Sequence, residues 1–307
     1  MDRNLALEFV RVTEAAAIAA ASWIGKGDKN AADAAAVDEM RDRFNQIDFA
    51  GRVVIGEGTK DEAPELFEGE LLGSGKGPFM DIALDPLECT SSVAYGRYNA
   101  LSVIVAGTKG SLMPMPDTCY YMDKIAAGPE AARVIDLDAP VAVNIKKTAN
   151  ALGKKISEIT VILLERDRHN SLIADIRKTG ARIRLISAGD LAGGIATCMP
   201  ESGIDLLMGV GGSPEGVLSA AAIKILGGEI LGRFCTQDGK KVGKVLSAND
   251  LAKGNQLTFT ATGVIDGPLL QGVRVLDHTI ITHSVVIRGQ SGTLRYITTQ
   301  HHKSRTT

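Results

Sequence analysis

The chain has 307 residues, a formal net charge of −2 and 45% hydrophobic residues. That length and apolar fraction predict a globular protein of two ordinary domains or one large α/β unit, and exclude a disordered chain. The balanced charge, with a pI near 6.2, excludes a broad nucleic-acid-binding face. No apolar run reaches the about 18 residues that a membrane span needs.

A helix is predicted over 3–23, with Leu5, Phe9, Val12 and Ala16 near helical spacing. Gly25, Gly27 and Asp28 interrupt it, and a second helix covers about 30–47 with Val37, Met40, Phe44 and Ile47 on one stripe. Asp33 lies one turn before Val37, so it falls on the buried side of that helix. "RVVIGEG" at 52–58 reads as a strand with Glu57 at its tip, and the stretch 61–70 as a capped turn or short helix. "PFMDIALD" is a second strand ending on Asp85, with Pro86 and Glu88 just beyond, and 99–107 is a third, followed by loop to 117.

From about 142 the pattern alternates: helix 142–152, strand 159–165, helix 170–180, strand 181–187, helix and turn at 190–200, strand 204–210, then a long helix from "GGSPEGVL". This rhythm predicts a largely parallel sheet covered on both faces. After 229 the chain is rich in strands, at 229–236, 256–265, 273–289 and 293–299, and the tail "HHKSRTT" is expected to be frayed. The change of rhythm puts a domain boundary near 140. It separates an α+β metal-binding part, 1–140, from an α/β substrate-binding part, 141–307, that ends in returning strands.

The four cysteines, Cys89, Cys119, Cys198 and Cys235, form no CxxC pair and no zinc spacing. Buried free thiols and a reducing, cytoplasmic home are expected, since the first residues carry no signal-peptide core.

Glu57 and Asp85 each end a strand, with Glu88 close behind. In α/β sheets ligands gather at the carboxyl ends of strands, where converging acids repel one another unless a hard cation joins them. Glu88-Cys89-Thr90-Ser91-Ser92 reads as a helix start, whose free N–H groups suit a phosphate. Carboxylates, a divalent cation and a helix start together describe phosphate-ester hydrolysis. Arg166 and Arg168 follow a strand end, where guanidinium forks suit phosphate. His169 beside them reads as a structural donor. Asp190 either accepts from sugar hydroxyls or caps the helix that follows it. "GVGGSPEG" at 209–216 fails the dinucleotide fingerprint at Pro214, which instead opens a helix with Glu215 in its first turn.

The motifs "MDRNLALEFVRVTEAAA", "GDKNAADAAAVDEMR", "VVIGEG", "DIALDPLE", "GARIRLIS", "GVGGSPEGV" and "TATGVIDG" are long and unusual. Through them nearly the whole chain resembles the class II, GlpX-type fructose-1,6-bisphosphatases of the lithium-sensitive, inositol-monophosphatase-like phosphatases. The resemblance implies a layered αβαβα fold and a Mg²⁺- or Mn²⁺-dependent hydrolase of the 1-phosphate of fructose 1,6-bisphosphate, working in gluconeogenesis. It implies a homo-oligomer, dimer or tetramer, with no nucleic-acid or membrane partner. Metal ligands would be Asp33, Glu57, Asp85, Glu88 and Glu215, and Thr90 would orient the attacking water, with Asp33 and Glu57 beside it in catalysis. The sugar phosphate would be held by Lys29, Glu88, Cys89, Thr90, Tyr121, Arg166, Asp167, Arg168, Ala188, Gly189, Asp190 and Gly212.

The chain departs from that pattern at Cys89 (glycine in the family), at Ser91, at Thr59-Lys60-Asp61 and at Ala188. Ala188 points towards a sedoheptulose-bisphosphatase or broader sugar phosphatase. Cys89 and Thr59 point towards a catalytically weak sugar-phosphate-binding regulator.

Overall fold

The structure is a computed structural model that describes residues 5–58, 65–116, 119–236 and 238–302. The contacts divide into two units, one made of the residues up to Leu112 with those from Asn255 on, the other Met113–Gly254. The change of rhythm near 140 falls inside the second unit.

The first unit opens with helices α1 (Leu5–Ala21) and α2 (Lys29–Phe44). Leu5, Phe9, Val12 and Ala16 are buried, as their spacing predicts. On α2 the buried face is Ala32, Ala36, Met40 and Phe44, while Asp33 and Val37 stay half-buried. Three rings set that face: Phe9 lies 6.1 Å from Phe44 and 5.5 Å from Phe49, and Phe44 lies 5.8 Å from Phe49. All three are fully buried, so Phe9→Ala would cost about 3–5 kcal/mol. Asp28 caps α2 by accepting from the Ala31 N–H at 3.0 Å.

Strand β1 (Ala50–Ile55) pairs antiparallel with the short β2 (Leu71–Leu72) and parallel with β3 (Phe79–Glu88). β3 does not stop at Asp85, as the proline suggested, but runs on to Glu88. Pro86 has no N–H to donate. It is tolerated there because the pairing with β1 ends at Ala83 and the pairing with the next strand is irregular between Asp85 and Glu88. The one-turn helix α3 (Thr90–Ala94) and strand β4 (Ala100–Gly107) follow. The Gly25 and Gly27 N–H groups donate to the Val93 and Ala94 carbonyls, which ties the start of α2 to α3.

In the second unit the elements are β5 (Tyr121–Ala127), α4 (Val141–Leu152), β6 (Thr160–Leu164), α5 (Asn170–Thr179), β7 (Arg182–Ile186), α6 (Asp190–Ala196), β8 (Leu206–Gly212), α7 (Ser213–Ile225), β9 (Glu229–Cys235), β10 (Lys241–Leu246) and α8 (Ala248–Leu251). The sheet order is β10-β9-β5-β8-β6-β7. Only β6–β7 and β6–β8 are parallel; β5 pairs antiparallel with both β8 and β9, and β9 with β10. The sheet is therefore mixed, not largely parallel. Both faces are covered: Val161, Leu163, Leu206 and Met208 pack with Ile145 of α4 and Ile173 of α5. Glycines of α6 lie over the alternate residues, Gly193 against Ile162 and Gly194 against Leu207.

The chain then returns to the first sheet as β11 (Thr258–Ile265), β12 (Arg274–Val275), β13 (Thr279–Arg288) and β14 (Thr293–His302). That sheet runs β12-β13-β11-β4-β3-β1-β2, with β14 paired along β13. His301 and His302 belong to β14 rather than to a frayed tail, and His301 Nε2 lies 2.9 Å from Thr282 Oγ1; residues 303–307 lie outside the described ones. Each unit is thus a sheet with helices packed on it, the α/β layering the sequence predicts. Among the described residues no helix is long and apolar enough to cross a membrane.

Candidate active site

In the first unit the parallel pair β1–β3 sets Ile55 opposite Ala83. Glu57 and Asp85 each lie two residues beyond that pair, so both acids stand just past the end of the β1–β3 pairing. The α2 helix adds Asp33 from its first turns. Burial raises the Asp33 carboxyl pKa above its ordinary value. Burial first, and the Asp33 charge second, push the Glu57 pKa up to about 7. Neither acid makes a salt bridge or side-chain hydrogen bond with another described residue. Oxygen donors that repel one another in a half-buried place fit a hard divalent cation such as Mg²⁺ or Mn²⁺.

The corner that follows is stiff. Asp85 Oδ1 accepts from the Leu87 N–H at 3.0 Å. Glu88 is buried, and the Cys89 thiol donates to its Oε2 at 2.7 Å. Cys89 caps α3 in the left-handed region, at φ 70° and ψ 46°, and makes no side-chain cap. A side chain there carries a cost that glycine would not. The Thr90 hydroxyl donates to the Leu87 carbonyl at 3.2 Å. With its hydrogen so engaged, Thr90 Oγ1 presents lone pairs and is set to accept a hydrogen bond from a water. Lys29, the first residue of α2, is exposed and lies over the Tyr95 ring at 5.5 Å. Thr59, Lys60 and Asp61 lie outside the described residues, and 65–70 form turns rather than a helix.

In the second unit the predicted sugar-phosphate residues gather at one end of the sheet. That end carries the ends of β6, β7 and β8 and the start of the antiparallel β5. Arg166 donates to the Glu165 carbonyl at 2.9 Å and the Ser187 carbonyl at 2.6 Å, joining the ends of β6 and β7. Arg168 donates to the Val210 carbonyl, at 2.8 Å through Nη2, and lies 5.4 Å from the centre of the Tyr121 ring. Tyr121 in turn is paired with Gly212 across β5 and β8. Asp167 opens a one-turn 3₁₀ helix, Asp167–His169, that also carries Arg168. Gly189 precedes α6 at φ 88°, a conformation suited to glycine, with Ala188 just before it.

Asp190 does not cap α6. Its carboxylate is held by Lys124, Nζ to Oδ2 2.6 Å, with both residues buried. Lys124 also donates to the Gly212 carbonyl at 2.9 Å. Glu215 stands in the first turn of α7, and one of its carboxylate oxygens lies within 4.8 Å of one of Asp190. Its pKa is raised, first by burial and then by Asp190, against the opposing pull of Lys124. The glycines of "GVGGSPEG" now have a reason. A Cβ at Gly211 would stand 1.8 Å from Asp190 Oδ2, and one at Gly212 would stand 1.9 Å from Glu215 Oε2.

His169 is a structural residue, as the sequence suggested. Its Nε2 accepts from the Val210 N–H at 2.8 Å, so Nδ1 is the nitrogen that donates to the Leu164 carbonyl at 2.7 Å. Burial lowers its pKa, and the imidazole stays neutral at neutral pH. Lys124 is the residue that reading the sequence missed. A lysine inside "YMDKIAA" interrupts an apolar alternation, and that interruption was the only available signal.

Mutually repelling acids, one on α2 and one beyond the end of β1, mark a class: enzymes that hold a hard cation to act on an oxyanion. Within that class, the sequence profile described as "Bacterial fructose-1,6-bisphosphatase, glpX-encoded" matches residues 3–301, and the chain belongs to this family. It is 44% identical over 328 aligned positions to fructose-1,6-bisphosphatase 1 class 2 of Escherichia coli (strain K12), covering 99% of this chain and 97% of the relative. The fructose-1,6-bisphosphatases class 2 of Escherichia coli O6:H1 and Shigella flexneri are equally similar, at 44% identity over the same shares.

Proposed function

We propose that this protein hydrolyses the 1-phosphate of fructose 1,6-bisphosphate, giving fructose 6-phosphate and inorganic phosphate. The observation that carries this reading is the pairing of Asp33 on α2 with Glu57 beyond the end of β1, in a chain that matches class 2 fructose-1,6-bisphosphatases along 99% of its length. Asp33, Glu57, Asp85 and Glu88 would hold Mg²⁺ or Mn²⁺, and Glu215 is a further acid suited to such ions. When bound, such ions lower the pKa of water and neutralise phosphoryl charge. Thr90, its hydrogen given to the Leu87 carbonyl, accepts from the attacking water and aims its lone pair at phosphorus. The water gives up a proton as its oxygen bonds to phosphorus, the bond to the sugar oxygen breaks and that oxygen takes up a proton, while Lys29, Arg166 and Arg168 meet the charged phosphates. Tyr121, Asp167, Gly212 and the 188–190 loop face the sugar and its second phosphate.

We place the enzyme in the cytoplasm, in gluconeogenesis, as a homo-oligomer. The test is phosphate release from a panel of sugar mono- and bisphosphates, with EDTA and with each metal restored. Release from fructose 1,6-bisphosphate that EDTA abolishes supports the reading. A preference for sedoheptulose 1,7-bisphosphate would trace to Ala188. Tight binding without turnover would indicate a regulator instead.

A further inference from the structure

We infer that Lys124 is a positioning residue of this reaction: its buried ammonium fixes the Asp190 carboxylate against the joint that carries Glu215. The inference rests on the reading above, in which Asp190 receives the sugar and Glu215 a cation. Lys124 is 2% exposed in the middle of β5. A buried ammonium is tolerated only when paired and hydrogen-bonded, and both conditions are met here. It reaches Asp190, the first residue of α6, at 2.6 Å, and the carbonyl of Gly212, the last residue of β8, at 2.9 Å. One side chain therefore ties three elements together at the sheet end where the sugar-phosphate residues gather.

The surroundings are built around that ammonium. A Cβ at Gly211 would come within 3.0 Å of Lys124 Nζ as well as striking Asp190, so the strand passes the pair only as glycine. Gly216 of α7 leaves similar room, since a Cβ there would meet Met122 Sδ at 2.7 Å and Lys124 Cδ at 3.5 Å. A methionine in place of Lys124 would fill the space but leave Asp190 facing Glu215, two carboxylates within 4.8 Å and no cation between them. Lys124 holds the Asp190 carboxylate pointed in one direction. Because both of its bonds are internal, it acts on the sugar through Asp190 and not by touch.

The test is a cycle of Lys124→Met, Asp190→Asn and the double variant, reading KM and kcat for fructose 1,6-bisphosphate and the melting temperature of the metal-free protein. Lys124→Met should raise KM by about ten-fold with a smaller change in kcat. The double variant should match Asp190→Asn within about two-fold, because the two residues act as one unit. A folded Lys124→Met with unchanged KM overturns the inference. So does a double variant in which the two losses multiply, since Lys124 would then act on the reactants directly. If Lys124→Met does not fold, the double variant, which strands no buried charge, supplies the comparison: parity with Asp190→Asn supports the inference and a further loss overturns it. A wild type without turnover would overturn the proposed function instead. The same variants would then be read by the rise in melting temperature that fructose 1,6-bisphosphate causes; loss of that rise in Lys124→Met supports the inference and its retention overturns it.

Discussion

Glu57 is half-buried beside Asp33: burial first, and the Asp33 charge on α2 second, bring the Glu57 carboxyl to about 7, against an ordinary 4.5. Between those two values the folded protein binds a proton that the unfolded chain releases. Stability of the metal-free protein therefore falls as pH rises from about 4.5 to about 7, by up to about 3 kcal/mol. Urea unfolding after EDTA treatment should show this slope, and Glu57→Gln should flatten it. Added Mn²⁺ should restore stability at neutral pH. A wild type whose stability rises with pH across that range would contradict the assignment.

Thr90→Ala should lower kcat about 100-fold and leave KM within a few-fold, because the hydroxyl orients a water and does not hold the sugar. Thr90→Ser, which keeps the bond to the Leu87 carbonyl, should recover most of the loss. Steady-state phosphate release measures both.

Cys89→Gly should stabilise the protein by about 1 kcal/mol, because φ 70° suits glycine. It should also lower the Mn²⁺ concentration needed for half-maximal activity, since the thiol no longer occupies Glu88 Oε2. A fall in activity would show that the thiol has a part in the site.

His169→Phe leaves the Val210 N–H and the Leu164 carbonyl without their present partner. The expected cost is about 2–4 kcal/mol of stability, read as a lower melting temperature. Well below that temperature, and at neutral pH, kcat should stay within a few-fold of the wild type. A loss as large as that of Thr90→Ala would make His169 a participant in the chemistry.

The parts that were legible in the sequence are those where one local pattern decides the outcome. The α1 stripe, Glu57 just beyond the end of β1, and Pro214 opening α7 needed only periodicity and turn chemistry. β5 was missed because Lys124 breaks its alternation, and the Asp190 that makes a buried lysine acceptable stands far along the chain. β10 was missed because it is an edge strand with mostly exposed residues and so carries no hydrophobic signal. Without β5 the sheet reads as parallel; its antiparallel place between β8 and β9 makes the sheet mixed. Pro86 signalled a stop that the irregular β3–β4 pairing lets the strand ignore. Of the two roles open for Asp190, the cap is not taken, because its carboxylate is held by Lys124 from far along the chain.

The central claim is that the strand-end acids hold the ions on which turnover depends. Asp85→Asn tests it most directly, by phosphate release from fructose 1,6-bisphosphate in saturating Mn²⁺ with melting temperature as the control for folding. The account predicts a folded protein whose kcat has fallen by about 1000-fold or more; a folded variant with near-wild-type turnover would contradict it.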